Sequence, residues 1–214
     1  MSIVELVWAT PDAEALITKM ARVSAPANEN NMETAPKLLR YLIKHAHWSP
    51  FEMANMCVEI HTTRAISAQI IRHRSFSFQE FSQRYADINL LGSTYVPHLR
   101  RQDTKNRQNS IDDLDAEMTG QYYRRISTLF EEAEHLYKEM VSSGVAKECA
   151  RNILPLASPT RIYMNGSLRS FIHYLQVRTD PSTQTEHRQI ALEIKKIFCQ
   201  QFPAVGEAVF EDGN

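Results

Sequence analysis

The spacing of apolar residues along the chain predicts that helices dominate the structure. Over residues 115–143, nine apolar positions from Tyr122 to Val141 recur at intervals typical of one face of a long amphipathic helix. A second apolar stripe predicts a helix over 34–45. Further helices are predicted from 11 toward 23, over 63–71, over 147–153, from 167 to about 177, and over 183–202.

Alternating apolar and polar residues predict a half-buried strand over 56–61. Further extended segments are predicted over 2–8, 76–85 and 161–164. The strands do not alternate regularly with the helices, which argues against a doubly wound parallel sheet. We therefore expect one α+β domain over residues 1–214, with a mixed or antiparallel sheet packed by helices.

Residues at the ends of the predicted elements agree with these boundaries. Thr10 is expected to cap the first helix, and Pro11 to occupy its first position. Ser167 is expected to cap a later helix, and Gly144 to end the long one. The polar segment 98–113 is expected to be a solvated loop or a lid.

Positive and negative charges are nearly balanced, with 24 Lys and Arg against 25 Asp and Glu. A chain with this balance is not expected to bind nucleic acid mainly through its overall charge. Two thirds of the cationic residues are arginines, whose planar donor groups bind phosphates bidentately. This excess favours a phosphorylated ligand where arginines cluster on one face.

Three cysteines, Cys57, Cys149 and Cys199, lie far apart in the sequence. The pattern is typical of a reducing compartment and predicts neither a disulfide framework nor a cysteine zinc site. There is no run of about 18 apolar residues, and the apolar start is too short for a signal peptide. We expect a cytoplasmic protein (host cytoplasm, if viral) without a membrane partner.

The six glycines are not spaced as in a P-loop or a G-x-G-x-x-G fingerprint. A bound nucleotide would therefore need side-chain cations and helix N-termini. His45 and His47 could lie on one side of an extended segment, but further ligands at metal spacing are missing. We therefore predict no metal site.

One segment in the middle of the chain combines polar groups that suit a nucleotide. Gln69 and Arg72 share a face at the end of a predicted helix. Glu80, Ser82 and Arg84 are spaced by two, so an extended backbone would direct all three to one side. A nucleoside phosphate needs such donors and acceptors. An exposed strand with an internal Glu–Arg pair explains the pattern equally well.

Several motifs resemble those of one known family. Arg72-His73-Arg74, followed after seven residues by Ser82, matches its R-H-R-x7-S signature, and Ser82-Gln83-Arg84-Tyr85 extends the match. Other matching positions are His47, Ser49-Pro50-Phe51-Glu52, Ala150-Arg151, Leu154-Pro155, Arg178, Gln184 and Glu186. On these motifs the chain resembles the flavin-dependent thymidylate synthases from about residue 10 to 205, in a compact form like viral and bacterial members.

The resemblance implies the reductive methylation of dUMP to dTMP. Members of the family transfer the methylene group of methylenetetrahydrofolate to C5 of dUMP. They use FAD, reduced by NADPH, as the hydride source. The resemblance also implies a homotetramer with active sites shared between subunits, which binds dUMP and folate rather than nucleic acid.

Carried onto this sequence, the resemblance assigns residues to two ligands. The FAD site would contain Ser49, Arg72, His73, Arg74, Glu80, Ser167, Leu168, Arg169 and His173, with His47 near the flavin and the folate. The dUMP site would contain Gln69, Arg72, Glu80, Ser82, Gln83, Arg84, Arg151 and Arg178. Ser167 departs from many members, which have Asn there and thus a second amide contact.

Helical spacing separates the two ligands along the helix that begins after Ser167. Arg169 and His173 are four residues apart and share one face. Arg178 lies about half a turn round from Arg169. Arg178 should therefore contact a different ligand from the other two.

The sequence offers no residue in the context of an enzyme nucleophile. No cysteine has the Pro-Cys-His context of the conventional, unrelated thymidylate synthase, and Ser82 has no base at triad spacing. We therefore predict a reaction without an enzyme nucleophile. In it, the Arg178 guanidinium activates the pyrimidine by stabilising negative charge at N3 and O4.

Three other interpretations compete with this one. The arginines and phenylalanines of 72–81 could form the stacking strip of an RNA-binding protein, although the neutral net charge and Glu80 argue against it. A structural oligomer built on the stripe of 115–143 is compatible with an enzyme. A catalytically silent homologue is disfavoured, because the motif positions other than Ser167 are intact.

Overall fold

An antiparallel four-stranded sheet forms the centre of the protein. The computed structural model describes residues 3–210. The strands are β1 Ile3–Ala9, β2 Asn55–Thr63, β3 Ser77–Glu80, β4 Arg101–Gln102, β5 Ser110–Ile111 and β6 Pro159–Ser167. The main sheet has the order β1-β2-β6-β3, and β4 and β5 form a separate ribbon. Residues 1–2 and 211–214, which include the predicted start of the first strand and the ends of the predicted domain, lie outside the described residues.

Helices account for most of the remaining chain between residues 3 and 210. They are α1 Ala13–Ala21, α2 Ala35–Lys44, α3 Arg64–Ile70, α4 Ala116–Ser142, α5 Lys147–Ala150, α6 Leu168–Arg178, α7 Thr185–Gln201 and α8 Pro203–Phe210. Short 3-10 turns occur at Pro26–Asn28, Ser49–Glu52, Ile88–Leu91 and Arg151–Ile153. This combination of an antiparallel sheet and helices confirms the predicted α+β class.

Strands β2 and β6 form the longest pairing, with consecutive residue pairs between 55–63 and 159–167. Alternate side chains of β2, among them Met56 and Ile60, are completely buried, which confirms the predicted half-buried strand. The strand predicted over 161–164 is longer in the structure, because pairing with β2 continues at both ends.

Helices α6 and α7 pack on the apolar face of this sheet. Phe171 and Leu175 of α6 and Ile194 and Phe198 of α7 are completely buried in the cluster that contains the strand side chains. Full burial of each such side chain stabilises the fold by about 1.5–3 kcal/mol. The sheet therefore gives α6 a rigid support.

The first helix begins later than the sequence predicts. α1 starts at Ala13, and Asp12 occupies the N-cap position in a left-handed conformation with φ 47°. The Thr10 hydroxyl donates to the backbone oxygen of Asn55 and accepts from the Asn55 N–H. Thr10 thus binds the start of β2, and its predicted role as a helix cap is wrong.

The other predicted element ends agree better with the structure. The Ser167 hydroxyl accepts from the Ser170 N–H at 3.3 Å, which confirms the predicted cap of α6. Gly144 follows α4 with φ +86°, the left-handed conformation that favours glycine at a helix C-terminus. The helix predicted over 183–202 ends before Pro203, and Pro203 begins α8, since proline suits a first helical turn. The predicted loop 98–113 contains the β4–β5 ribbon.

The long helix α4 is confirmed, but its apolar stripe is only partly buried in the single chain. Asp115 caps the helix by accepting from the Met118 N–H at 2.8 Å. Tyr137 is buried in a small second cluster with Ile88 and Ala150. Other stripe residues lie open to solvent in the described part of the chain, with Leu129 60% exposed.

Replacement of Gly166 by alanine should destabilise the fold. A Cβ atom at Gly166 would lie 2.5 Å from a ring carbon of Phe76, so β6 or the buried ring must move. We expect a loss of about 1–3 kcal/mol, measured by urea unfolding. Gly120→Ala in α4 is the control: its Cβ would meet nothing nearer than Arg124 at 3.9 Å, and it should stabilise by up to about 1 kcal/mol. An unchanged midpoint for Gly166→Ala would contradict the packing.

Candidate functional site

A carboxylate connects the start of α6 to the 3-10 turn 49–52. Ser167 Oγ donates to Glu52 Oε2 at 2.7 Å, and Arg169 Nη1 donates to Glu52 Oε1 at 2.9 Å. The same Ser167 hydroxyl accepts from the Ser170 N–H, so it uses its donor and acceptor functions together. These bonds fix the start of α6 relative to the 3-10 turn 49–52.

An open cleft of about 500 Å³ lies along α6 beside this junction. Its lining includes Trp48, Glu52, Arg169, His173 and Gln176. Arg169 and His173 both line the cleft, which confirms that they share a face. The cleft therefore combines an indole ring, a carboxylate, a guanidinium and an imidazole, which together suit a planar ligand with a phosphate group.

Arg178 ends α6 and contacts a different partner. Its Nε donates to Nε2 of His73 at 2.8 Å. Because Nε2 accepts this bond, the ring proton of His73 is on Nδ1. Within residues 3–210, no other acceptor bonds to the Arg178 guanidinium, so its two terminal amino groups are available to a ligand.

His73 is neutral at pH 7. Burial, together with the positive charge of Arg178 and the nearby His173, lowers the pKa of His73 to about 4. The imidazole packs edge-on against the Tyr174 ring, with centroids 4.9 Å apart. The partner of the Arg178 guanidinium is thus a neutral acceptor, and the positive charge of Arg178 stays uncompensated by it.

A second neutral histidine lies behind Tyr174. Tyr174 and His187 are completely buried, and the phenol oxygen is 3.1 Å from Nε2 of His187. Burial raises the pKa of Tyr174. Burial and the charge of Arg178 lower the pKa of His187 to about 3. Both side chains are therefore uncharged at pH 7.

Gln69 of α3 faces the start of α7. Its Nε2 donates to Gln184 Oε1 at 2.6 Å, and Gln184 Nε2 donates to Glu186 Oε2 at 2.9 Å. Glu186 pairs with Arg100 at 2.7 Å. Burial alone would raise the pKa of Glu186, but hydrogen bonds from Arg100 and Gln184 hold it below its usual value. The structure thus brings Gln69 together with Gln184 and Glu186, two of the motif positions.

Glu80 is directed into the protomer. Its Oε1 accepts from Ser67 Oγ at 2.7 Å and from Thr160 Oγ1 at 2.9 Å, and lies 2.8 Å from Arg64 Nη1. The carboxylate therefore holds the start of α3 to the sheet. A ligand at this position would have to share it with these three donors.

The predicted common direction of Glu80, Ser82 and Arg84 is wrong. β3 ends at Glu80, and the N–H groups of Tyr85 and Ala86 both donate to the Ser82 carbonyl. This turn ends the alternation of side chains that an extended backbone would give. Strand periodicity alone did not indicate where β3 ends.

Arg84 contacts α5 rather than Glu80. Its Nε and Nη2 lie 3.0 Å and 2.9 Å from Glu148 Oε2, and Lys147 Nζ donates to the Tyr85 carbonyl at 3.0 Å. The predicted alternative of an internal Glu80–Arg84 pair is therefore wrong. The turn after β3 lies against the segment that contains Arg151. An exposed pair of this kind contributes about 0–1 kcal/mol, so a phosphate can displace Glu148 from Arg84.

The remaining predicted residues differ in exposure. His47, Ser49, Arg72 and Arg74 are exposed, Arg151 is half-buried and Gln83 is buried. Leu168 is completely buried in the core, and its N–H donates to the Ala54 carbonyl. Neither the side chain nor the N–H of Leu168 is therefore available to a ligand.

The proposed stacking strip of an RNA-binding protein is contradicted by the packing of its aromatic residues. Phe76 is buried, with its ring centroid 4.9 Å from that of Phe171 and 5.9 Å from that of Tyr174. Phe78 is half-buried against the same core. Phe76 therefore cannot stack on a base, and Phe78 offers only part of its surface.

Two candidate nucleophiles, Cys57 and Ser82, lack an activating environment in the described structure. Burial raises the pKa of the Cys57 thiol, and in the described part of the chain Ser82 Oγ accepts from the Arg84 N–H at 3.4 Å without a neighbouring base. No disulfide joins Cys57, Cys149 and Cys199 in the described part of the chain. Between residues 3 and 210, no three His, Cys, Asp or Glu side chains cluster as metal ligands. No helix in that range is long and apolar enough to span a membrane.

Sequence reasoning gave no role to four residues at these sites. Glu52 belongs to the motif Ser49-Pro50-Phe51-Glu52, so the sequence contained a signal that it has a role. Tyr174 and His187 lie on apolar helix faces, and residues there are usually interpreted as part of the core. Arg100 lies in a segment predicted as solvated loop, and only the fold brings it to Glu186.

Known proteins are similar to the chain over almost its full length. The family described as "Thymidylate synthase complementing protein" matches residues 5–204. The flavin-dependent thymidylate synthase of Synechocystis sp. is 52% identical over 197 residues, 92% of this chain and 89% of that protein. A probable flavin-dependent thymidylate synthase of Paramecium bursaria Chlorella virus 1 is 48% identical over 198 residues, 92% and 90% of the two chains.

Solved structures are similar in fold. A UMP/dUMP methylase from Streptomyces cacaoi, bound with 5-Br dUMP, has a TM-score of 0.86 and 27% identity. The match covers 97% of this chain and 94% of that one. The same methylase bound with 5-Br UMP gives a TM-score of 0.87 and covers 100% and 95% of the two chains.

The two neutral histidines should make stability depend on pH. Their pKa values of about 4 for His73 and about 3 for His187 lie below the ordinary value, so between pH ~6.5 and ~4 the unfolded chain takes up protons that the folded chain does not. The free energy of unfolding should therefore be highest above pH ~6.5 and fall by roughly 1–3 kcal/mol toward pH ~5.

Urea unfolding at pH ~7 and ~5 measures this loss. The matched control is the double variant His73→Gln/His187→Gln, whose amides do not titrate in this range. Its stability should fall less between the two pH values than that of the parent protein. Equal losses in both proteins would contradict the assignment of neutral rings.

Proposed function

Because the chain belongs to the family of flavin-dependent thymidylate synthases, we propose that it methylates dUMP to dTMP. The observation that carries the proposal is the Arg178 guanidinium, which the neutral His73 holds at the end of α6, the helix whose Arg169 and His173 line the cleft. It occurs in a chain 52% identical to a protein of that name. The Arg178–His73 pair suits a pyrimidine nucleotide, and the cleft along α6 suits a flavin.

The cleft along α6 binds FAD. Arg169 has five N–H donors, of which Glu52 uses one in the described structure, and the others suit a diphosphate. Trp48 supplies an apolar wall, and His173 a further donor. His47, Ser49 and the 72–74 segment complete the site by resemblance to the family. The flavin, when bound and reduced, supplies the hydride that completes the methyl group.

Residues at two places in the protomer bind dUMP. Ser82, Arg84 and Arg151 bind the phosphate, supported by the contact between the turn after β3 and α5. Gln69 and Arg178 bind the pyrimidine at the other place. Active sites shared between subunits bring the two groups together.

Arg178 activates the pyrimidine. C5 of uracil is a weak nucleophile until negative charge at N3 and O4 is stabilised. The terminal amino groups of Arg178 supply that stabilisation, and His73 fixes their direction before the substrate binds. C5 then attacks the methylene carbon of methylenetetrahydrofolate without an enzyme nucleophile. The bonds from that carbon to the folate nitrogens break, C5 loses its proton, and tetrahydrofolate leaves. NADPH reduces the flavin, as the resemblance implies.

The assembly is a homotetramer, and the whole chain acts as one domain in it. The open part of the α4 stripe supports an interface, since Leu129 is 60% exposed and Leu136 46% exposed in the protomer. A contiguous apolar face of this kind marks an interaction surface. The wide spacing of the three cysteines in the sequence suits a reducing compartment, so we place the enzyme in the cytoplasm.

Release of tritium from [5-³H]dUMP tests the reaction. With FAD, NADPH and methylenetetrahydrofolate, the protein should release tritium and form dTMP, and no release would refute the proposed reaction. Arg178→Ala should lower the rate by about 10²–10³, because the stabilising donors are lost. Its flavin absorbance should remain that of the parent.

Two further variants control for loss of charge. Arg178→Lys keeps the positive charge without the planar fork and should recover only part of the activity. Arg107→Ala removes an exposed arginine between β4 and β5 and should keep the parent rate. If Arg178→Ala turned over dUMP as fast as the parent protein, the role of Arg178 would be wrong.

A charge in the α4 stripe should break the tetramer. Leu129→Glu places a carboxylate at the proposed interface, and we expect dimers or monomers in sedimentation velocity. Lys138→Glu changes the opposite face of α4 and should leave the tetramer intact. A Leu129→Glu protein that remains tetrameric would exclude this face as the interface.

A further inference from the structure

A chain of hydrogen bonds leads from the buried Tyr174 to Gln69 through His187. The Tyr174 phenol oxygen is 3.1 Å from His187 Nε2, and His187 Nδ1 is 3.4 Å from Gln69 Oε1. His187 is completely buried and belongs to none of the motifs that resemble the family. The imidazole therefore connects the core of α6 and α7 to a residue assigned to the nucleotide.

The direction of these bonds follows from the groups involved. Burial raises the pKa of Tyr174, so its phenol keeps its proton and donates to the imidazole. The imidazole is neutral, with a pKa lowered to about 3 by burial and by the charge of Arg178. Because Gln69 Oε1 only accepts, the ring proton lies on Nδ1, and His187 Nε2 accepts from the phenol. That Nδ1–H donates to the carbonyl oxygen of Gln69.

The remaining bonds run the same way and end at a group that only accepts. Gln69 Nε2 donates to Gln184 Oε1, and Gln184 Nε2 donates to the Glu186 carboxylate. Glu186 is held by Arg100 at 2.7 Å. Each amide therefore has its oxygen and nitrogen fixed by the groups on both sides. In the described structure, one Nε2 hydrogen of Gln69 has no partner.

We propose that His187 is a positioning residue for the nucleotide: its Nδ1–H holds the Gln69 amide in the orientation that presents the free N–H to a pyrimidine carbonyl. A reversed amide would present its oxygen to that carbonyl, and two acceptors repel each other. The inference rests on the proposed function, since it takes the ligand of Gln69 to be dUMP.

Position 187 is a better place to test this than Tyr174. The Tyr174 ring also packs against His73, with centroids 4.9 Å apart, so its removal would disturb Arg178 as well. At position 187 two amides each keep one half of the imidazole. An Asn side chain reaches the place of Nδ1, and a Gln side chain reaches the place of Nε2.

The experiment compares His187→Asn with His187→Gln as FAD holoenzymes. Asn keeps a donor for Gln69, so its KM for dUMP and its Kd by calorimetry should stay within about twofold of the parent values. Gln keeps an acceptor for Tyr174 but loses the donor, so both constants should rise about five- to tenfold, with a smaller change in kcat. In a Gln69→Ala background, His187→Gln should add no further loss.

Equal effects of the two variants, accompanied by equal falls in melting temperature, would mean a structural role and overturn the inference. Parent affinity in His187→Gln would overturn it too. An independent test is the nitrogen NMR spectrum of the parent protein, in which His187 should show the Nδ1–H tautomer at pH ~7. An Nε2–H tautomer would contradict the proposal. A parent holoenzyme that binds no dUMP would instead refute the proposed function.

Discussion

The antiparallel pairing of β2 and β6 is the constraint on which the rest of the structure depends. At one end of the paired strands, Thr63 caps α3. At the other end, Ser167 caps α6. Both helices pack on the same apolar face, and their C-terminal ends meet where His73 accepts from Arg178. A change in strand register would separate these helix ends and break the contact between His73 and Arg178.

Burial sets the electrostatics of the place where the helix ends meet. Two imidazoles and a phenol surround Arg178, and burial keeps all three uncharged. A carboxylate beside the guanidinium would bind it more strongly, but would also neutralise the charge that a substrate anion needs. Neutral acceptors orient Arg178 and leave that charge available, and such preorganisation is a large part of enzymatic electrostatic stabilisation. Carboxylates occur instead at Glu52 and Glu80, where they fix helix starts.

Local sequence rules succeeded where neighbours in the sequence supply the partner. Ser167 caps a helix through a residue three positions later, and Arg169 and His173 share a face because of helical spacing. They failed where the partner is remote. Thr10 binds Asn55 instead of capping α1, and Arg84 pairs with a residue of α5. A hydroxyl or guanidinium forms hydrogen bonds with whichever group the fold brings near it. Its position in the sequence therefore does not identify the partner.

The sequence by itself determined the α+β class, the long helix α4 and the motifs by which the family can be recognised, because these depend on periodicity and residue identity. Only the tertiary structure decided which groups touch: Glu80 inside the protomer, His73 on Arg178, and His187 on Gln69. The physical reason is burial. Whether an imidazole is charged, and whether it donates or accepts, depends on the groups that surround it after folding. His73 and its partner Arg178, like His187 and its partner Gln69, are more than a hundred positions apart.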